Sequence, residues 1–367
     1  MSRKLEFGSA EDVGMDARRI SYLKELTREW IARGAFPGAV YLIARKGVIV
    51  AHEALGHAVK TPFEREIRKD TIFDMASLTK VMATATSIMT LVERGRISLQ
   101  ERVVDFFPGV KWRHKDVTLW HLLTHTSGLP PFKPIHRLGR EGIIRAILES
   151  EQLSKPGERV IYSDLGYILL GEIVKEVSGK SLDVYAREEI FGPLGMEDTM
   201  FNPPDHLRER IAATEFCKWR GRVLIGEVHD ERAYALGGVA GHAGLFSKAY
   251  DVAVFAQMFL NMGEYGGVRV LSPAAVREMT RDHTAGLGAS RGLGWVINSK
   301  NVTSSGDLLS KSAYGHTGFT GTSLWIDPEL ELLVVLLTNR VHPTRENELL
   351  LSFRPLFHNV VAGALKR

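Results

Sequence analysis

The chain has 367 residues, more than one hydrophobic core usually serves and too few for three domains. Hydrophobic residues at 44% and charged residues at 25% match an average globular protein, which excludes a disordered chain. The net charge of +4, from 47 basic and 43 acidic residues, is mild and scattered, so no nucleic-acid partner is expected.

Asp16 to Arg33 has helical periodicity and stops at Gly34. Gly38 to Ala44 reads as a strand, Arg45-Lys46-Gly47 as a turn and Val48 to Ala51 as the hairpin partner. From about residue 71 to 285 the pattern is mostly helical. Its helices are Ser77 to Arg94, Arg140 to Glu151, Gly166 to Val177, Leu182 to Ile190 and Asp251 to Asn261. Strands return at Gly294 to Asn298, Thr322 to Ile326 and Leu330 to Leu337, the last two joined by an Asp327-Pro328 turn. Pro355 to Leu365 closes the chain as a helix with proline in its first turn. This order predicts an α+β fold. Residues 1–70 and 286–367 form one domain, an antiparallel sheet covered by the first and last helices, and 71–285 form a helical insertion domain. A site is expected in the cleft between the two, where pockets concentrate.

Cys217 is the single cysteine, so an intrachain disulfide and a Cys-based metal cluster are excluded. Met1 to Phe7 lacks the apolar core of an export signal, and the longest aliphatic run, Leu332 to Leu337, is too short to span a bilayer. The expectation is a cytoplasmic protein without a membrane span; if a signal was removed, it would be periplasmic or extracellular.

The most informative segment is Ser77-Leu78-Thr79-Lys80. Residues three apart on a helix share a face, and an amine beside a serine can take its proton or stabilise its alkoxide. Ser21-Tyr22-Leu23-Lys24 repeats the spacing inside a charged amphipathic stretch and reads as an exposed helix face. Gly288-Ala289-Ser290-Arg291-Gly292 matches a G-x-S-x-G elbow, but a polar loop precedes it and a strand follows, the reverse of what that elbow requires. His121 and His125 have the spacing of a metal-binding helix face without a third ligand, so they read as structural.

Further along come Leu123-Thr124-His125-Thr126-Ser127-Gly128-Leu129, Tyr162-Ser163-Asp164, Gly292-Leu293-Gly294-Trp295 and His316-Thr317-Gly318. With S-x-x-K ahead of them in this order, the chain resembles the serine β-lactamase and penicillin-binding-protein family. The likeness is to the branch of class C enzymes, D-alanyl-D-alanine carboxypeptidases and family VIII esterases. It runs from about Val13 to the C-terminal helix. The resemblance implies that Ser77 is acylated, that Lys80 keeps Ser77 and Tyr162 poised, and that Tyr162 is the general base. It implies an oxyanion hole from the N–H groups of Ser77 and Phe319, with His316, Thr317 and Gly318 lining the substrate site, His316 standing where β-lactamases carry lysine. Arg340 and Arg345 are candidates for a substrate carboxylate. The family's Y-x-N becomes Tyr162-Ser163-Asp164, and an ionised Asp164 cannot donate to an acyl-amide carbonyl, which disfavours β-lactams, favours esters or substrates with a nearby amine, and leaves Lys80 with a carboxylate partner. His229-Asp230-Glu231, ahead of the glycine-rich stretch Gly237 to Gly244, is a further polar cluster.

These residues point to a serine hydrolase of ester or amide bonds that needs no metal or organic cofactor, first of all a β-lactamase-like esterase. A D-Ala-D-Ala-type carboxypeptidase and a penicillin-recognising protein without turnover are the alternatives. The expected partner is a small ester, amide or peptide; the oligomeric state stays open.

Overall fold

The computed structural model describes residues 3–108, 112, 114–299 and 304–366. The N-terminal part supplies strands β1 (Glu6–Phe7), β2 (Gly38–Arg45), β3 (Val48–Val59) and β4 (Arg65–Glu66). A small sheet follows from β5 (Ile72–Asp74), β6 (Met200–Phe201) and β7 (Leu245–Lys248), with β7 in the middle. The chain then returns to the large sheet with β8 (Val296–Ile297), β9 (Tyr314–Thr317), β10 (Thr322–Asp327) and β11 (Leu332–Thr338). The large sheet has eight strands in the order β1-β3-β2-β11-β10-β9-β8, with β4 beside β3. Helices α1 (Ala17–Ala32), α2 (Thr86–Glu93), α3 (Asp164–Ser178), α4 (Glu231–Ala235), α5 (Ala249–Leu260) and α6 (Leu349–Gly363) frame the sheets and the site.

Strands β2 and β11 are buried on both faces, which is why they read as unbroken apolar runs. Tyr41, Ile43, Val334 and Leu336 face α1 and α6, where Leu23, Trp30, Phe353 and Phe357 meet them. Val40, Leu42, Val335 and Leu337 face the other core, which includes Phe255 and Phe259 of α5. Helix α1 forms as its sequence predicts: Asp16 caps it by accepting from the N–H groups of Arg18 and Arg19, and Ile20, Leu23, Thr27 and Trp30 bury one stripe.

Three expectations need correction. The sheet is mixed, because β1 runs parallel to β3, with Glu6 opposite Val48. Two residues carry no readable period, and their pairing is fixed by bonds from Glu6 N–H to Gly47 O and Gly8 N–H to Ile49 O. The last helix starts at Leu349, so Pro355 lies inside it. Burial of Leu350, Phe353, Phe357 and Val361 along one face outweighs the backbone bond that proline removes. The strand expected over Gly294 to Asn298 shrinks to Val296–Ile297, because Gly294 takes a φ of 88° and Trp295 turns into the core.

The end of β9 is pressed onto the chain just after β5. Thr320 Oγ1 bonds Asp74 O at 2.7 Å and Thr322 Oγ1 bonds Met75 O at 3.1 Å. Gly318 sits inside this seam, where a Cβ would come within 2.1 Å of Thr322 Oγ1 and 2.6 Å of Met75 O. Gly318→Ala is therefore expected to overpack the seam and cost about 1–3 kcal/mol of stability, read from the urea midpoint. An unchanged midpoint would mean that the seam yields freely.

Candidate active site

Strand β5 ends at Asp74, whose carboxylate accepts from Ala76 N–H at 2.8 Å and from His229 N–H at 2.7 Å. Ala76 has a φ of +45°, in the left-handed region that a side chain disfavours, and the bond to Asp74 holds it there. Ser77 follows in a 3-10 turn, Ala76–Leu78, and Lys80 opens a π-helical turn, Lys80–Ala85. The α-helix expected from Ser77 begins only at Thr86. Threonine hydroxyls stabilise the irregular path: Thr79 bonds Ala76 O, Thr84 bonds Gly241 O and Thr86 bonds Val81 O. Single π turns of this kind often sit at functional sites.

The structure brings Ser77, Lys80 and Tyr162 together. Ser77 Oγ is 2.9 Å from Lys80 Nζ and 2.8 Å from Tyr162 Oη. Lys80 is wholly buried, and its Nζ also reaches Asp164 Oδ1 at 2.8 Å and His242 O at 3.1 Å. Three acceptors match the three donors of an ammonium. Burial pushes Lys80 towards the neutral amine, but Asp164 and Tyr162 prevail and hold its pKa above the usual lysine value.

Asp164, the departure from Y-x-N, has both oxygens engaged: Oδ1 by Lys80 and Oδ2 by Arg232 Nη2 at 2.7 Å. Burial would raise its pKa, yet Lys80, His242 and Arg232 together lower it. The same Arg232 nitrogen reaches Asp230 Oδ2 at 2.7 Å, and Asp230 Oδ1 lies 2.8 Å from His242 Nε2. Ser163, not Asp164, caps α3. Asp164, Asp230 and His242 bring one ligand atom each within 4.8 Å of the others, the one such group among the described residues. Arg232 already supplies positive charge there.

Tyr162 lies among rings and cations. The His125 ring is 4.5 Å away and the His316 ring 6.0 Å, while the Arg291 guanidinium stands 5.4 Å from the Tyr162 centroid. His125 Nδ1 accepts from Ser163 N–H, and His121 completes a capping box with Thr118, so each of these histidines is bound to backbone, His121 locally and His125 across the fold. His316 Nδ1 bonds the Thr317 carbonyl, and its buried Nε2 has no protein partner. Burial first, then Lys80 and Arg291, push the His316 pKa down to about 3, so its ring is neutral near pH 7.

The N–H groups of Ser77 and Phe319 donate to no protein acceptor among the described residues. The Phe319 carbonyl accepts from Arg340 Nε at 2.9 Å, which fixes the loop carrying that N–H. Arg340 also donates to Arg345 O and Asn347 O, and Arg345 is paired with Glu215 and Glu231, each at 2.6 Å. Both arginines expected to meet a carboxylate thus have structural partners. Arg345 is neutralised; Arg340 meets backbone carbonyls and the face of the Phe319 ring, 4.6 Å away, and forms no ion pair among the described residues.

Two cavities meet at Ser77 and Tyr162. The larger, about 630 Å³, is lined by Phe132, His136, Asp164, His229, Glu231 and Arg345 among others. The smaller, about 350 Å³, is lined by Arg291, His316, Thr317, Arg340 and Arg354, with no carboxylate among its described lining residues. Sequence reading missed Asp74, Arg232, His242, Arg291 and Arg354. Asp230 stood with His229 and Glu231 in a noticed cluster, His242 lies in the noted glycine-rich stretch, and Arg291 adjoins the rejected Ser290.

The family model described as Beta-lactamase matches residues 23–354. The chain belongs to this family. It is a hydrolase of the serine β-lactamase and penicillin-binding-protein superfamily. It is 33% identical, over 91% of its length and 84% of the relative's, to the N-acetylmuramyl-L-alanine amidase of Bacillus subtilis strain 168. A Salmonella paratyphi A relative named as a D-alanyl-D-alanine carboxypeptidase is 34% identical over 92% of this chain and 86% of its own. The solved structure of EstCE1, a hydrolase with promiscuous acyltransferase activity, superposes with a TM-score of 0.76 at 21% identity, covering 94% of this chain and 98% of that one. That likeness is one of fold. No described helix is long and apolar enough to cross a membrane.

A pH dependence of stability follows from the histidines. His316 at about 3 and buried His358 at about 4 both lie below the ordinary 6.5, so the unfolded chain binds protons that the folded chain refuses. Their stabilisation is complete above pH 6.5 and is lost as pH falls towards 3. The paired carboxylates Asp164 and Asp230 act lower, below their ordinary 3.8. The urea midpoint is therefore expected to fall between pH 6.5 and 5, and His316→Gln to flatten that slope. An unchanged slope in the variant would contradict this assignment.

Proposed function

We propose that this hydrolase works through an acyl-enzyme on Ser77, with Tyr162 as general base and Lys80 as a fixed ammonium. The observation that carries the reading is the double contact of Ser77 Oγ, at 2.9 Å to Lys80 Nζ and 2.8 Å to Tyr162 Oη, at the junction of two cavities. A lysine kept protonated is a poor proton acceptor, which leaves the proton of Ser77 to the phenolate form of Tyr162, whose oxygen takes it up to become the phenol. Ser77 Oγ attacks the carbonyl carbon, the oxyanion meets the N–H groups of Ser77 and Phe319, and Tyr162 returns the proton to the leaving nitrogen or oxygen. Water then attacks the ester by the same route reversed.

The charges of the cavities suggest what lies on each side. In the larger cavity the charges of Asp164, Asp230, Arg232, Glu231 and Arg345 are paired internally and Lys133 alone of the lining Lys and Arg residues forms no ion pair among the described residues, which suits a polar acyl group. The smaller is cationic and suits a leaving group that carries a carboxylate, such as an amino acid or peptide. That favours amide hydrolysis releasing an amino acid or peptide, in keeping with the names of the amidase and carboxypeptidase relatives. The ester reading keeps one observation: with both Asp164 oxygens engaged, its side chain has nothing to offer an acyl-amide carbonyl.

Ser77→Ala is expected to lower kcat by about 10³-fold or more, and Tyr162→Phe by about 10²–10⁴-fold, while Ser290→Ala stays near wild type. An organophosphonate should add to Ser77 by intact mass and peptide mapping. If Ser77→Ala turns over normally, the acyl-enzyme reading falls. For the leaving group, an N-acyl amino acid is expected to exceed its C-terminal methylamide in kcat/KM by roughly tenfold. Equal values would refute the carboxylate assignment, and a strong preference for p-nitrophenyl esters over both would favour the esterase.

A further inference from the structure

The groups that hold Lys80 form a closed circuit. From Lys80 Nζ it runs through Asp164 (2.8 Å), Arg232 (2.7 Å), Asp230 (2.7 Å) and the His242 imidazole (2.8 Å). It returns through the carbonyl of the same His242, 3.1 Å from Lys80 Nζ. Two cations, Lys80 and Arg232, alternate with two carboxylates. The acceptors that hold Lys80 beside Ser77 are thus both referred to the Arg232–Asp230 pair. The circuit is rigidly mounted. Asp230 caps α4 by accepting from the N–H groups of Arg232 and Ala233. The loop carrying His242 lies hard against α3, the helix carrying Asp164, so that a Cβ at Gly241 would fall 1.9 Å from Tyr167 O.

The geometry points to Arg232 and Asp230 as positioning residues for Ser77 chemistry, acting through Asp164 and His242 to aim the Lys80 ammonium at Ser77. Asp164 bound by Lys80 alone could rotate and draw the ammonium off Ser77; Arg232 on Oδ2 fixes the plane of the carboxylate. Arg232 uses one nitrogen, Nη2, for both carboxylates, so a lysine of similar reach can replace it in part. This also accounts for the departure from Y-x-N, since an asparagine at 164 would have no charge for Arg232 to balance.

The inference rests on the acyl-enzyme reading for its kinetic arm alone. Arg232→Gln is expected to lower kcat by about 10–100-fold with KM changed less than about threefold, because misplacing a reacting group costs turnover more than binding. Arg232→Lys should recover most of this. In an Asp164→Asn background, Arg232→Gln should change kcat by less than about threefold, since the two residues act as one unit. The second readout is the Lys80 ammonium signal in ¹⁵N-labelled protein, expected to be shifted or lost in Arg232→Gln and retained in Arg232→Lys, at a thermal midpoint that shows both folded. A lower midpoint with kcat and the Lys80 signal unchanged would overturn the inference and make the circuit merely structural. Equal losses from Arg232→Gln in both backgrounds would overturn it as well. If Ser77→Ala proves active, the acyl-enzyme reading fails, yet the Lys80 signal still decides whether Arg232 positions the ammonium.

Discussion

An ammonium shut away from water must find an acceptor for each of its three N–H bonds, and Lys80 finds them in Ser77, Asp164 and the carbonyl of His242. Much of the site follows from this. A buried ammonium without a carboxylate would lose its proton; a buried carboxylate without fixed partners would be as costly. Asp164 answers the first requirement, and Arg232 with Asp230 answers the second. The alternating charges let an ionised group sit within a hydrogen bond of the serine it is to serve.

The backbone around Ser77 is held by a separate set of contacts. Asp74 fixes the left-handed Ala76, and Thr320 and Thr322 tie the β9–β10 bend to the carbonyls of Asp74 and Met75. The two N–H groups without acceptors among the described residues, of Ser77 and Phe319, are thereby carried by segments bonded to one another. Asp74 also binds His229 N–H, one residue before Asp230, so the frame of the backbone and the frame of the charges share an anchor.

The cavities on either side of Ser77 differ in how their charges are balanced. On one side each carboxylate has its cation; on the other Arg291, Arg340 and Arg354 stand with neutral His316 and no described acidic residue. A polar group that enters the first meets charges that are already paired, Lys133 apart. An anion entering the second relieves an excess of positive charge.

The sequence determined what depends on neighbours along the chain. Periodicity and caps placed α1, β2, β10 and β11 and only the first four residues of β3; the spacing within one segment picked out Ser77-x-x-Lys80, while Tyr162 and the His316-Thr317-Gly318 bend were marked by the order of segments and the family resemblance. The glycine at 318 was legible as a bend, but its necessity comes from packing, from Thr322 close by and from Met75 and Ala76 across the seam, remote in sequence. Long-range contacts were decided by the tertiary structure alone. The π turn at Lys80 depends in part on Thr84 meeting Gly241, the parallel edge strand on Glu6 meeting Gly47, and the interior proline of α6 on the burial of Phe353 and Phe357. Arg345 read as a free carboxylate ligand because its neutraliser, Glu215, is 130 residues away. Arg232 gave no signal for the same reason: a charged residue in a short helix is ordinary until folding sets it 2.7 Å from Asp164. Local propensity acts over a few residues, while the balance of a buried charge is settled only when segments remote in sequence are packed together.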